Sequence, residues 1–242
     1  MKKNVFQRKI RKTHRWLGVI LGIQFLLWTV GGLYFSWSDM DDVHGDHQRA
    51  HIHPLSADTK FVNPAEIIEK IKLKDTVNFL FDIRLIQILN KPFYQITYSK
   101  EHDRNKKIQL ANAKTGDLRP PLNKNEAIEI AKKSFSSDSP VKNVIYLTNT
   151  NQHHEYREQP LPAYAVTFVH PSNTTVYVAS ELGTVQKFRN SKWRVFDFLW
   201  MLHTMDYQGR DNISNWLLRA FSIFGLFTIL SGFILFFLSR KR

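Results

Sequence analysis

From Trp16 to Phe35 the chain reads WLGVILGIQFLLWTVGGLYF, twenty residues without a charge. A helix needs roughly 20 predominantly apolar residues to cross the hydrocarbon core of a bilayer. A second uncharged stretch, Ala220–Leu238, lies near the other end. Two crossings place everything between them on one side of the membrane. The first run is longer than the 7–15 residues of a signal-peptide core, and its one small-x-small site, Ser36-Trp37-Ser38, is flanked by bulky side chains. It is read as an uncleaved anchor.

Charge sets the expected sidedness. The chain carries 34 Lys+Arg against 21 Asp+Glu, a net charge of +13. Seven of the basic residues lie in residues 1–15, where there is no acid, and three more are Arg240, Lys241 and Arg242. Without those ten the balance is 24 against 21. The basic character therefore belongs to the tails, which argues against nucleic acid as a partner. Lys and Arg beside a crossing mark the cytoplasmic side, where anionic headgroups hold them. The expected location is a bacterial inner membrane, with both termini cytoplasmic and the central domain periplasmic. There is no Cys, which excludes disulfides and thiolate-bound metals.

The expected organisation is a basic tail at 1–15, a first crossing at 16–37, and a His- and Asp-rich linker at 38–60. Two repeats follow at 61–122 and 123–190, then an amphipathic helix and turn at 191–215, a second crossing at 216–238 and a basic end at 239–242. In the first crossing, Gly18-x-x-x-Gly22 offers a close-packing face that Gly31-Gly32 extends, and Thr228-x-x-x-Gly232 is its counterpart in the second. The repeats show as matched positions: Asn63/Asn123, Glu66/Glu126, Ile68/Ile128, Glu69/Glu129 and Lys72/Lys132 share one offset. Each start reads as an Asn-capped amphipathic helix with Glu three residues on. Strand-like runs follow each helix, with Tyr94/Tyr164 and Thr97/Thr167 in step, and Gly116 and Gly183 fall where a strand must turn at positive φ. The fold class is a membrane protein: two transmembrane helices flank an α+β module of two units, each a helix laid on an antiparallel sheet. Lys100–Lys106 and Asn149–Pro162 read as polar loops. Residues 192–207, too short to cross, read as a helix lying in the membrane interface.

These features resemble a known family. The doubled unit, each copy ending in a strand-turn such as Asn112-Ala-Lys-Thr-Gly-Asp-Leu118, is similar to PepSY domains. The ends resemble PepSY-associated transmembrane proteins in three strings: Lys12-Thr-His14-Arg-Trp-Leu-Gly18, Leu202-His203-Thr-Met-Asp206-Tyr207, and the late pair Ser231-Gly232. The resemblance implies an extracytoplasmic module first proposed to restrain peptidases, and a link to iron and siderophore uptake. Larger relatives with four or more helices resemble haem-bearing ferric reductases. With two crossings, a haem-holding bundle here requires a homodimer or another membrane subunit.

In a Cys-free chain His is the natural axial donor to haem, which makes His14 and His203 the candidate cofactor-binding residues. They sit at opposite ends of crossings about 30 Å long, so they cannot share one iron within a protomer. His44, His47, His51 and His53 are the densest His cluster and the candidate ligands for a divalent metal, with Asp42 and Asp46 beside them. His153-His154 is read as solvated. The signatures His-Glu-x-x-His and Gly-x-Ser-x-Gly are absent, as are a phosphate-binding Gly loop and a dinucleotide fingerprint. No catalytic residue is assigned, and on its own the chain is not read as an enzyme; the resemblance allows a ferric reductase-like component. Three readings follow: an accessory in iron uptake or reduction that holds haem with a partner, a non-catalytic extracytoplasmic binding or regulatory module, and a metal-binding protein acting through the His cluster.

Overall fold

The structure is a computed structural model that describes residues 2–51, 54–100 and 106–240. The chain forms two compact units: Met1–Asp39 with Arg194–Arg242, and Met40–Trp193.

The first unit is helical. α1 (Lys2–Trp37) is one unbroken helix, so the basic lead-in and the first crossing are continuous. Its segment Arg8–Trp37 and the segment Trp216–Ser239 of α6 (Trp216–Arg240) are each long and apolar enough to cross a membrane. Ile23, Leu26, Phe233 and Phe237 point outward, giving the greasy surface that lipid covers. One seam of α1 is instead partly or fully buried: His14, Leu17, Leu21, Gln24, Trp28, Gly31 and Phe35. These steps of three and four are the 3.5-residue repeat of helices wound side by side. α6 meets the seam through small residues. A Cβ on Gly225 would lie 3.2 Å from Phe25, and one on Gly232 would lie 3.3 Å from His14.

The Gly18/Gly22 face does not make this contact. A Cβ at either position would find nothing within 4 Å. The polar His14, Gln24 and Trp28 turn the seam that holds them toward partners, and the two glycines are left facing away.

α5 (Ser191–Thr204) forms from the stretch 192–207 expected as an interfacial helix. It lies along α1: Phe196 packs on Phe35 with ring centroids 4.7 Å apart, and the Leu199 carbonyl would lie 4.0 Å from a Cβ on Gly31. The last carbonyls of a helix lack partners of their own. Here Gln24 donates to the Leu202 carbonyl at 2.8 Å and Trp28 to the His203 carbonyl at 2.9 Å. Gln24 lies midway along the apolar run, so two side chains of α1 hold the end of α5 at that level. A turn then leads to α6. In it the Asp206 carboxylate accepts the amides of Gly209 and Asn212, and Arg210 pairs with the buried Asp197.

The second unit holds both repeats. In the first, α3 (Pro64–Lys72) covers a sheet of β1 (Phe79–Ile88), β2 (Lys91–Ser99), β3 (Lys107–Asn112) and β4 (Leu118–Arg119), antiparallel in that order. Ile67 and Ile71 pack on Tyr94, Ile96, Tyr98 and Ala111. In the second, α4 (Lys124–Ser134) covers β5 (Val141–Leu147), β6 (Ala163–Phe168), β7 (Thr175–Ala179) and β8 (Thr184–Arg189) in the same way. Ala127, Ile130 and Ala131 pack on Val166, Phe168, Val176 and Val178. Asn63 and Asn123 cap the two helices as the sequence predicts, with a full capping box at Asn123 and Glu126. Gly116 and Gly183 turn at φ of 71° and 72°.

The repeats share a core. Side chains alternate along a strand, so Phe93 and Leu110 leave the first sheet on the face away from α3. With Ile88 they join the core of the second repeat. The turn at Gly183 seats on them, and Gln95 donates to the Leu182 carbonyl at 2.7 Å.

The segment expected as a linker is docked on the second repeat. α2 (Met40–His44) ends at Gly45, φ 72°, and a 3-10 turn Asp46–Gln48 follows. Val43 and Gln48 are buried. Gln48 donates to Ser172 at 3.1 Å and accepts from Thr174 at 2.7 Å. Ala50 donates its amide to the Ser134 carbonyl, and Ser136 to that of Gln48.

Candidate functional site

His14 lies on the buried seam of α1. Its Nδ1 is 2.7 Å from the Ser231 hydroxyl. Ser231 Oγ donates its single proton to the Thr228 carbonyl at 2.8 Å, so it accepts from His14 Nδ1–H. A neutral His14 then keeps its lone pair on Nε2, the form a metal-ligating imidazole takes when its other nitrogen is held by a hydrogen bond. Gly232 leaves room for the ring. Two strings that are more than 200 residues apart in sequence thus form one contact. Part of the signal is in the sequence: His14 and, within the first run, Gln24, Trp28 and Gly31 fall on one 3.5-residue seam.

His203 sits in a box of aromatic rings. Trp200 stacks on it at 6.0 Å and 12°, and Trp28 and Phe35 lie 5.9 Å away. Its Nδ1 is buried without a hydrogen-bond partner, the kind of orphaned atom that calls for an explanation. The two histidines are placed apart. His14 meets α6, and His203 meets Trp28, fourteen residues along α1 or about 21 Å. One protomer does not bring the two imidazoles together. Asp206, also in the His203 string, is spent on the turn. Burial alone raises its pKa, but the surrounding backbone amides outweigh that and hold it below the ordinary carboxylate value.

The linker histidines do not share a helix face, because Gly45 ends the helix between His44 and His47. His44 and His47 are exposed, and His47 Nδ1 lies 3.1 Å from Asp42. Asp42 also pairs with Lys192, and this bond, with the Lys192 and His47 charges, lowers its pKa. Among the described residues no three His, Asp or Glu side chains come together as a metal site. His53 lies outside the described residues. His154, expected to be solvated, is part-buried and accepts the Tyr156 amide on Nδ1 at 3.0 Å.

His51 lies elsewhere, on the wall of a groove of about 540 Å³ between the repeats. Its apolar lining is Ile86 and Leu89 from the first repeat and Ile130 from α4. Its polar lining is Gln87 and Asn90 from the first repeat and Ser134 and Thr184 from the second. Lys133 also lines it, and the described lining residues include no carboxylate. A two-residue turn shapes one end, with Leu89 at φ 51° and Asn90 at 66°, the mirror-image geometry that suits a hairpin. A bulky residue rarely adopts such a φ; Leu89 is kept there by packing on the shared core. The volume falls in the range of small-ligand sites. None of these residues except His51 stands out in the sequence. The available signal is the mismatch between a two-residue connector here and the long Asn149–Pro162 connector at the same place in the second repeat.

The family described as PepSY-associated TM region matches residues 1–240. No curated protein and no solved structure matches the chain.

Proposed function

The chain belongs to the PepSY-associated TM family, and from that premise we propose that it is a membrane-anchored, non-catalytic accessory in iron uptake. Its central unit works outside the cytoplasm, by binding through the groove between its two repeats. The observation that carries this reading is the groove itself, lined by apolar and neutral polar side chains at the junction of two non-equivalent repeats. Pockets of that character are the default binding sites of a fold. Sidedness rests on the basic residues gathered at both ends, and iron on the kinship of the two membrane-edge strings. The test is growth of the source strain under iron limitation. Deleting the gene should slow growth; wild type should restore it, and Ser134→Trp, which fills the groove, should not. Unimpaired growth of the deletion strain removes the link to iron. Full rescue by Ser134→Trp removes the groove as the working site.

A second reading is haem binding between two copies or with a partner subunit, and the His14–Ser231 contact favours it. Bound haem would supply one-electron transfer. Ser231 would fix the His14 tautomer so that Nε2 points its lone pair outward, and Gly232 would admit the ring. His203, with its unpartnered Nδ1, is the alternative donor. Purified protein should then show a Soret band that His14→Ala abolishes and Ser231→Ala weakens. A colourless protein that takes up no added haem ends this reading.

A further inference from the structure

Four cations form one stripe on the helical unit. Arg8, Arg11, Lys12 and Arg15 follow one another at steps of three and four along the unbroken α1, so they share a face. All four are exposed, and at 3.6 residues per turn their face points away from the seam that holds Ile10, His14 and Leu17. Like charges at this spacing destabilise a helix unless a counter-charge meets them. The two long helices supply none. The first acid in the sequence is Asp39, beyond the far end of α1, and α6 contains no acid. Among the described residues no hydrogen bond or ion pair holds any of the four.

The neighbouring surface shows where the counter-charge comes from. α1 and α6 run antiparallel: His14 meets Ser231, while Phe25 meets Gly225. Past Ser231, α6 continues without a charge as far as Leu238, a further 10 Å or about two turns. Phe233, Phe236 and Phe237 in that stretch are each more than half exposed. In an antiparallel pair this stretch runs level with the residues before His14, which include Arg8, Arg11 and Lys12. A bilayer boundary at Trp16 would leave the phenylalanines in water, and a boundary at Leu238 would put the cations in hydrocarbon, which is expensive. A headgroup phosphate drawn onto the stripe removes the conflict. Its charge meets the cations, and lipid chains still cover the rings.

We propose that Arg8, Arg11, Lys12 and Arg15 bind the headgroup phosphodiester of an anionic phospholipid, held as a ligand of the helical unit and not as bulk lipid.

The test is native mass spectrometry of the full chain, released from detergent micelles that contain equal amounts of phosphatidylglycerol and phosphatidylcholine with the same acyl chains. Phosphatidylglycerol should be retained about tenfold more than phosphatidylcholine. Arg11→Gln with Arg15→Gln should remove the preference. Gln is nearly as good a helix former as Arg, and an unchanged circular dichroism spectrum should show that the helices persist. Lys241→Gln with Arg242→Gln, which takes as many charges from the other terminus, should leave the preference intact. Glycerophosphoglycerol, the same headgroup without acyl chains, should not displace the bound lipid even in large excess. Equal retention of the two lipids overturns the proposal. So does an equal loss in both double variants, which would mean that net charge acts and not the stripe. Displacement by glycerophosphoglycerol also overturns it, because the ligand would then be a soluble phosphodiester.

Discussion

The two repeats are built on one plan and finished differently. Each lays a capped helix on a four-stranded antiparallel sheet and turns at an equivalent glycine. In the second repeat both faces of the sheet are covered. α4 takes one face, and the connector between β5 and β6 folds over the other. There Tyr156, fully buried, stacks on Tyr177 at 4.5 Å and 10°, beside Ala163 and Ala165. In the first repeat the same connector is only Leu89-Asn90, and the second face of the sheet is completed by the neighbouring repeat. The first repeat therefore borrows its core from the second, while the second closes over itself. The groove lies where the borrowing stops.

The largest expected effect tests that closure. Tyr156→Ala removes a buried aromatic ring and its stacking partner's cover, which typically costs about 3–5 kcal/mol. Tyr156→Phe loses only the 2.8 Å bond to the Pro160 carbonyl, about 1 kcal/mol. Urea unfolding of the full chain in micelles, followed by fluorescence, should rank them in that order. If Tyr156→Ala costs no more than Tyr156→Phe, the connector is not a cover and the asymmetry is broken.

The equivalent glycines come next. Both need a left-handed backbone, and an L side chain there costs about 1–2 kcal/mol. At Gly116 an added Cβ would meet the flexible end of Lys70 at 3.1 Å. At Gly183 it would lie 2.7 Å from Ile88 Cδ1 and 3.2 Å from Leu110 Cδ1, both buried on the shared core. Overpacking adds about 1–3 kcal/mol. Gly183→Ala should therefore destabilise more than Gly116→Ala, and hydrogen exchange should show the first repeat loosening with it. Equal losses would mean that the repeats do not depend on one another at this turn.

The helix caps sharpen the comparison further. Asn63 makes one bond, to the Ala65 amide at 3.0 Å. Asn123 bonds the Glu126 amide while Glu126 returns the bond and also holds Arg119 on two nitrogen–oxygen contacts. Losing a cap costs about 0.5–2 kcal/mol. Asn123→Ala should fall toward the upper end and Asn63→Ala toward the lower, measured by the same unfolding curves.

Much of this plan was legible in the sequence, because it is written in local signals. An uncharged run of twenty residues, an Asn three residues before a Glu, and a Gly at a strand end each act within a few residues of themselves. What was not legible depends on distant partners. In a run that is apolar all round, hydropathy cannot say which face packs, so the small residues Gly18 and Gly22 read as the close-packing face. The polarity of Ser38–His53 suggested solvent, yet Gln48 spends its amide on Ser172 and Thr174, more than 120 positions away. Asn149–Pro162 also reads as a polar loop, because Tyr156 is one buried ring among polar neighbours. The groove was least legible of all, being made by the junction and not by a motif. Lys133, in the last turn of α4, reads from sequence alone as a charge that complements the helix dipole.

The smallest expected effect separates the repeats by acid. The end of the first sheet is tied by charge: Asp75 pairs with Lys100 at 2.7 Å and Lys107 at 2.6 Å and accepts the Tyr98 hydroxyl. The hydrogen bonds from Lys100 and Lys107 hold its pKa well below the ordinary carboxylate value. The second repeat ties the corresponding region through Gln48, Ser172, Thr174 and the His170 imidazole. A carboxyl group depressed in the folded state stabilises fully above its unfolded pKa of about 3.9 and loses that contribution as the pH falls toward its folded value. The first repeat should therefore loosen as the pH drops below about 4, in a window that Asp75→Asn removes. Amide exchange in β2 and β3 should speed up in that window, while exchange in β6 and β7 stays slow. If both sheets respond alike, acid acts on the unit as a whole, because the shared core at Ile88 and Leu110 couples the repeats more tightly than their separate ties divide them.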